Sequence, residues 1–141
     1  MQQIQSLGHA EAQLAMHAIR AELERRGQPA VIAVADAHGE LIALLRLDGA
    51  RLPSILIAAN KAWTAAREQK PSRDLGQEAR HPQTGFDLAY YGDPRYIGWG
   101  GGVPVRVNGA VVGAVAVSGL PEADDMEVVQ IGVDAILKTI G

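Results

Sequence analysis

The stretch Gly98–Leu120, GWGGGVPVRVNGAVVGAVAVSGL, leaves this chain the fewest conformational choices. Val103, Val105 and Val107 alternate with Pro104 and Arg106, which is the period of a half-buried strand. Asn108-Gly109 follows, and Asn-Gly between two such runs specifies a type I′ hairpin turn, because both central residues must take positive φ. Val111 to Val117 is a run of Val, Ala and Gly without charge, as in a central strand covered on both faces. Gly113 removes a side chain from the middle of that strand, which marks the close approach of another backbone or a ligand. Ser118-Gly119-Leu120-Pro121 ends the strand and hands over to a last helix.

A second hairpin precedes this one. Pro29 to Asp36 is an apolar strand, Ala37-His38-Gly39 a turn, and Glu40 to Leu47 the returning strand. Ahead of it, Ser6 to Arg26 has helical periodicity and stops at Gly27 and Pro29. Leu7, Ala10, Leu14, Ala18 and Ala21 form one stripe of that helix, and Ala12, Met16, Ile19 and Leu23 a second. A helix apolar over so much of its girth is expected to be contacted on two sides, by its own sheet and by a partner subunit. A helix from about Leu52 to Gln69 has Pro53 near its first turn. Its body is rich in alanine and nearly uncharged before Arg67, so Lys61 stands out. Pro71 to Arg80 is polar, with one short helical turn expected. His81 to Trp99 is irregular and holds Phe86, Tyr90, Tyr91, Tyr96 and Trp99, every aromatic residue except Trp63. Such a concentration suits a lid, a pocket wall or an oligomer contact. Glu122 to Ile140 is the last helix, with Asp124, Asp125 and Glu127 near the end where the helix dipole favours acids. The order is α-β-β-α-loop-β-β-α. The expected class is α+β: an antiparallel sheet of two hairpins flanked by helices, in one domain over 1–141.

Composition removes several functions. The chain has no cysteine, so disulfides, thiolate nucleophiles and cysteine metal sites are excluded. A net charge of −3 provides no electrostatic footprint for nucleic acid. No apolar segment is long enough to span a bilayer, and no basic-then-apolar leader opens the chain, so no membrane contact and a cytoplasmic location are expected. Gly98 to Gly102 does not fit GxGxxG and precedes a strand instead of opening a helix. Walker A and HExxH motifs are absent.

A few residues remain as candidates for chemistry. His17 lies beside apolar surface at the edge of a polar helical arc that also holds His9, and could ligate a metal or haem iron. His81, beside Pro82 at the mouth of the aromatic segment, is the other metal candidate. His38 is read as part of a turn. Lys61 is either paired with a carboxylate, Asp36 or Asp48, or placed for the carboxylate or propionate of a ligand. Arg46 and Arg106 admit the same two readings, with an exposed strand face the simpler account of Arg106. The glycines at 98, 100, 101 and 102 either make a tight bend or line an anion site with backbone N–H groups.

Three blocks, VADAHGELIALLRLDGA, SILIAANKAWTAA and GGGVPVRVNGAVVGAVAVSGLPEADD, together resemble the GlcG/HbpS-like family (DUF336), also called the haem-degrading family. The resemblance runs from about Val31 to the final helix. It implies an antiparallel sheet flanked by helices and self-association into dimers or larger assemblies. Asp36, Gly39, Arg46, Asp48, Asn60, Lys61, Gly101, Gly102, Pro104, Gly113, Ser118, Gly119 and Asp125 stand at positions that mark the family.

The favoured function is a small-ligand-binding protein, with haem or another tetrapyrrole as ligand. In that reading the aromatic segment, with Tyr91, Tyr96 and Trp99, covers the ligand. The Gly100, Gly101 and Gly102 backbone approaches it, Lys61 or Arg46 meets propionates, and His17 or His81 ligates iron. The alternative is a cofactor-free isomerase or hydrolase acting on a small organic acid. Lys61 or an arginine would hold the carboxylate, Asp36 or Asp48 would be the base, and glycine N–H groups would stabilise an oxyanion. A third reading is an oligomeric accessory protein without chemistry. Haem calls for a large flat apolar cleft faced by a histidine; the enzyme calls for a small polar pocket on which Lys61 or Arg46 converges.

Overall fold

The Asn-Gly turn forms as expected, with φ of 51° at Asn108 and 82° at Gly109. It joins two strands, β3 (Gly102–Val107) and β4 (Ala110–Ser118), in the computed structural model, which describes residues 1–140. The first hairpin joins β1 (Val31–Asp36) to β2 (Leu41–Arg46). The four strands make one antiparallel sheet in the order β2-β1-β4-β3, so the hairpins meet through β1 and β4. The helices are α1 (His9–Arg26), α2 (Ser54–Glu68), α3 (Ser72–Ala79) and α4 (Glu122–Ile140), with a short 3-10 turn at Leu88–Tyr91. The α+β order expected from the sequence is the order found.

Strand alternation sends side chains to two different layers. Ile32, Val34, Val115 and Val117 pack with Ile19 and Leu23 of α1 and with Val129 and Ile136 of α4. On the other face, Val31, Ala33, Ala35 and Ala116 meet Ala58 and Ala62 of α2. The alanines let α2 lie close to the sheet. A Cβ at Gly102 would overlap the main-chain carbonyl of Lys61, so only glycine allows that approach.

Gly113 allows a second close approach. Val105 faces Gly113 and Arg106 faces Val111, which leaves Val112 as the extra residue of a β-bulge. The Val112 carbonyl accepts the Leu7 N–H at 2.8 Å, and the Leu7 side chain occupies the space a Cβ at Gly113 would need. This pins Ser6 and Leu7 to the sheet, so α1 starts at His9 instead of Ser6. Gly8 precedes it, and its N–H donates to Glu11 Oε1 at 3.2 Å. One stripe of α1, Ala12, Ala15, Ile19 and Leu23, is buried. The other is not covered within the chain: Ala10 and Ala21 are exposed, and Leu14 is 39% exposed.

The segment after α2 holds more helix than expected. α3 makes two turns, with Gly76 lying directly against the Gly98 backbone. Its Ser72 hydroxyl donates to the Trp99 carbonyl at 2.7 Å and accepts from Gly102 N–H at 3.0 Å. Among the described residues, no helix is long and apolar enough to cross a membrane.

Candidate functional site

Lys61 projects from α2 at the end of β4 and is 2% exposed. Its Nζ donates to the Val117 carbonyl at 3.0 Å and to Asp125 Oδ2 at 3.2 Å. Asp125 sits in the first turn of α4, and its Oδ1 accepts the Leu120 N–H at 3.1 Å. The ion pair therefore ties the two helical layers together past the end of the sheet. Neither expected partner is the real one. Asp36 Oδ1 accepts from His38 and Glu40 N–H at 2.9 and 3.0 Å, capping its own turn, and Asp48 is exposed beyond β2. Burial pushes the Lys61 ammonium down and the Asp125 carboxyl up. Each charge opposes that effect on the other, and N–H groups of Leu120 and Gly119 also favour the carboxylate.

A cleft of about 310 Å³ opens beside this pair, lined by Arg51, Ser54, Lys61, Trp99, Gly100, Ser118, Glu122 and Asp125 among others. Of the three consecutive glycines, Gly100 lines it. Gly101, with φ of 125°, packs behind it, where a Cβ would stand 2.6 Å from the Val117 carbonyl oxygen and 2.8 Å from Lys61 Nζ. Gly102 is farther back, with its N–H taken by Ser72. Lys61, Trp99 and the glycines are thus brought together as one site.

The remaining candidates go elsewhere. Tyr91 and Tyr96 stack at 4.0 Å, and Tyr96 sets its ring across that of Trp63 at 4.7 Å. Arg95 and Arg67 lie over Trp63 at 4.2 and 4.8 Å, a cation–aromatic cluster. Thr64 Oγ1 donates to the Arg95 carbonyl at 3.1 Å and accepts from Ile97 N–H at 3.2 Å, fastening the segment to α2. Burial, with help from Glu68, pushes the Tyr91 hydroxyl up to about 12. Trp99 stands between the Lys61 cleft and a shallower apolar depression that also involves Ala79, Arg80, Phe86, Leu88 and Ile97. Arg46 is exposed on the edge strand β2, opposite Val31, and lines neither.

Both metal candidates also lie outside the Lys61 cleft. His81 Nδ1 accepts N–H bonds from Gln83 at 3.2 Å and Thr84 at 3.1 Å. A neutral ring accepting at Nδ1 carries its proton on Nε2, which leaves no lone pair for a metal. His17 is exposed on α1, across the sheet from α2, and its ring makes no hydrogen bond to the described residues. It borders a depression of about 320 Å³ with Arg20, Ala21 and Glu24. Among the described residues no group of three or more His, Asp or Glu side chains could hold a metal ion.

Nothing in the sequence singles out Arg51, Ser54 or Glu122 as site residues, and Ser118 and Asp125 stand out only as family markers and as parts of the strand end and helix start. Asp125 read as a dipole-complementing acid of a helix start. Its partner lies 64 residues away, and no local spacing signals that.

Residues 7–134 match the family described as Haem degrading protein HbpS-like. The chain is a member of the HbpS-like family. An uncharacterized protein from the dhaT-dhaS intergenic region of Citrobacter freundii is 32% identical over 118 residues, covering 84% of this chain and 83% of that one. Among solved structures of the HbpS-like fold, the Klebsiella pneumoniae protein ORFY, of the DUF336 family, superposes with a TM-score of 0.92 at 30% identity, over 97% of this chain and 94% of that one. The PduOC:Heme complex superposes with a TM-score of 0.85 at 24% identity over 92% of this chain and 94% of that one, which shows a shared fold.

Proposed function

We propose that this protein binds haem or a related tetrapyrrole through His17, on the outer face of α1. The observation that carries the reading is the state of the imidazole. It is exposed, free of protein hydrogen bonds, and set in an uncovered stripe of small apolar residues, Ala10, Leu14 and Ala21. An imidazole nitrogen with a free lone pair is what haem iron takes as an axial ligand. Arg20, one turn along the same face, donates Nε to Glu24 at 2.7 Å, which leaves its terminal nitrogens for a propionate. His81 lacks the free lone pair. The description of the family as haem-degrading, and the haem bound by the PduOC relative, support the same ligand.

The depression beside His17 is lined by Arg20, Ala21 and Glu24, so the flat apolar cleft a tetrapyrrole calls for would need the Ala10, Leu14 and Ala21 stripe together with a second copy of the chain; bound haem would supply an iron centre there. The chain's own part is to orient the ring through His17, hold a propionate with Arg20 and shield one ring face with Ala10, Leu14 and Ala21. A second copy of the chain laid over the same stripe would cover the other face, so the reading includes a homo-oligomer. This departs from the arrangement expected from the sequence, because Lys61 and the aromatic segment lie on the other side of the sheet. The test is a haemin titration followed from the Soret band. Saturable binding should persist in His81→Ala and vanish in His17→Ala. Loss that follows His81, or binding unchanged in both variants, rejects the proposal.

A further inference from the structure

We infer that the Lys61 cleft is a second, separate binding site whose ligand is a small hydroxy acid. Ser54 and Ser118 are each 4% exposed and line the cleft, and among the described residues their hydroxyls have no hydrogen-bond partner. Both hydroxyls open onto the cleft, where they offer a polar ligand two hydrogen-bonding groups that no protein partner competes for. Lys61 has three N–H donors and uses two, on Val117 and Asp125. Arg51 stands at the rim.

These donors line one cleft, and an anionic group that accepts several hydrogen bonds at once, as a carboxylate does, would suit them. The acceptors narrow the class further. Both Asp125 oxygens are engaged, by Leu120 N–H and by Lys61, whereas the Glu122 carboxylate makes no hydrogen bond to the protein. A ligand hydroxyl beside the carboxylate would donate to Glu122. A phosphate dianion carries a second negative charge and would be repelled by Glu122 and Asp125 more strongly than a hydroxy-acid monoanion. At about 310 Å³ the cleft suits a molecule of a few carbons. Nothing in this site depends on haem, and the cleft lies past the end of the sheet between the two helical layers, lined by none of the residues around His17.

Isothermal titration of the purified full chain with glycerate and lactate tests the inference, with acetate, glycerol and inorganic phosphate as comparison probes. Glycerate or lactate should saturate at about 1 mM or tighter, with all three comparison probes at least about tenfold weaker. Ser54→Ala and Glu122→Gln should each weaken glycerate binding about tenfold. Ser54→Ala should also leave Tm unchanged or raised, because the hydroxyl it removes has no partner in the protein. A serine kept for structure would lower Tm on removal and leave affinity alone. No saturation by either acid, phosphate binding as tightly as glycerate, or affinity insensitive to both substitutions overturns the inference. Haemin is absent from these titrations, so this reading and the haem reading fail independently.

Discussion

Asp125→Leu should be among the most damaging single substitutions in this chain, and Lys61→Met should largely repair it. Both side chains are about 3–4% exposed, so each charge is poorly solvated apart from its edge on the cleft. Removing the carboxylate leaves the largely buried Lys61 ammonium without its counter-charge, which costs about 3–5 kcal/mol. It also leaves the Leu120 N–H without its acceptor, at about 1 kcal/mol or more. A chain of this size loses about 3 °C of Tm per kcal/mol, so a fall of about 12–18 °C is expected. In the double variant no charge remains buried, and replacing such a pair by apolar residues is commonly neutral or better. What remains is the unpaired Leu120 N–H, about 1–2 kcal/mol below wild type. Urea denaturation of the wild type, both single variants and the double variant gives the coupling energy directly. Asp125→Leu within about 1 kcal/mol of wild type, or a double variant no more stable than Asp125→Leu, would refute the claim that burial makes this pair all-or-none.

Three further outcomes follow from the backbone and the surface. Gly109→Ala should cost about 1–2 kcal/mol in the same assay, since φ is 82° but no atom lies within 4 Å of the new methyl, leaving only backbone strain. Gly113→Ala should cost more, about 2–3 kcal/mol, because the methyl meets the Ala35 carbonyl and the Leu7 side chain; amide exchange at Leu7 should quicken as the segment lifts off. Glu22, hydrogen-bonded by Arg25 and Arg26, has its carboxyl held down to about 2. Its contribution to stability is thus present above the ordinary carboxylate range and is lost only as pH falls towards 2. Carboxyl-carbon NMR should find Glu22 still ionised at pH 3, and Arg26→Gln should move its midpoint up.

The fold was legible because its signals are local. Asn108-Gly109, the valine alternation before it and the uncharged run after it each demand a conformation within a few residues. Gly113 announced a close approach, although not that Leu7 would supply it, since the Val112 bulge depends on the register of two strands. α3 was underestimated because its burial rests on single contacts, Ser72 with Trp99 and Gly76 with Gly98, made by residues distant in sequence. Lys61 was conspicuous as a charge in an alanine helix, but its partner could not be told from Asp36 or Asp48. All three aspartates end or follow an apolar element, and only the tertiary fold brings α2 to the start of α4. The expected ligand site divided because helical and strand periodicity say which residues share a face, not which side of the sheet each helix will cover. His17 and Lys61 proved to belong to opposite layers.

The most direct measurement is the amide NMR spectrum of the protein loaded with one equivalent of haemin, whose ferric iron broadens nearby resonances. If the ligand sits on His17, broadening centres on the outward amides of α1 from Ala10 to Glu24, and the segment from Ala79 to Trp99 stays sharp. Broadening centred on that segment, with α1 unaffected, would contradict the assignment of the haem site to α1.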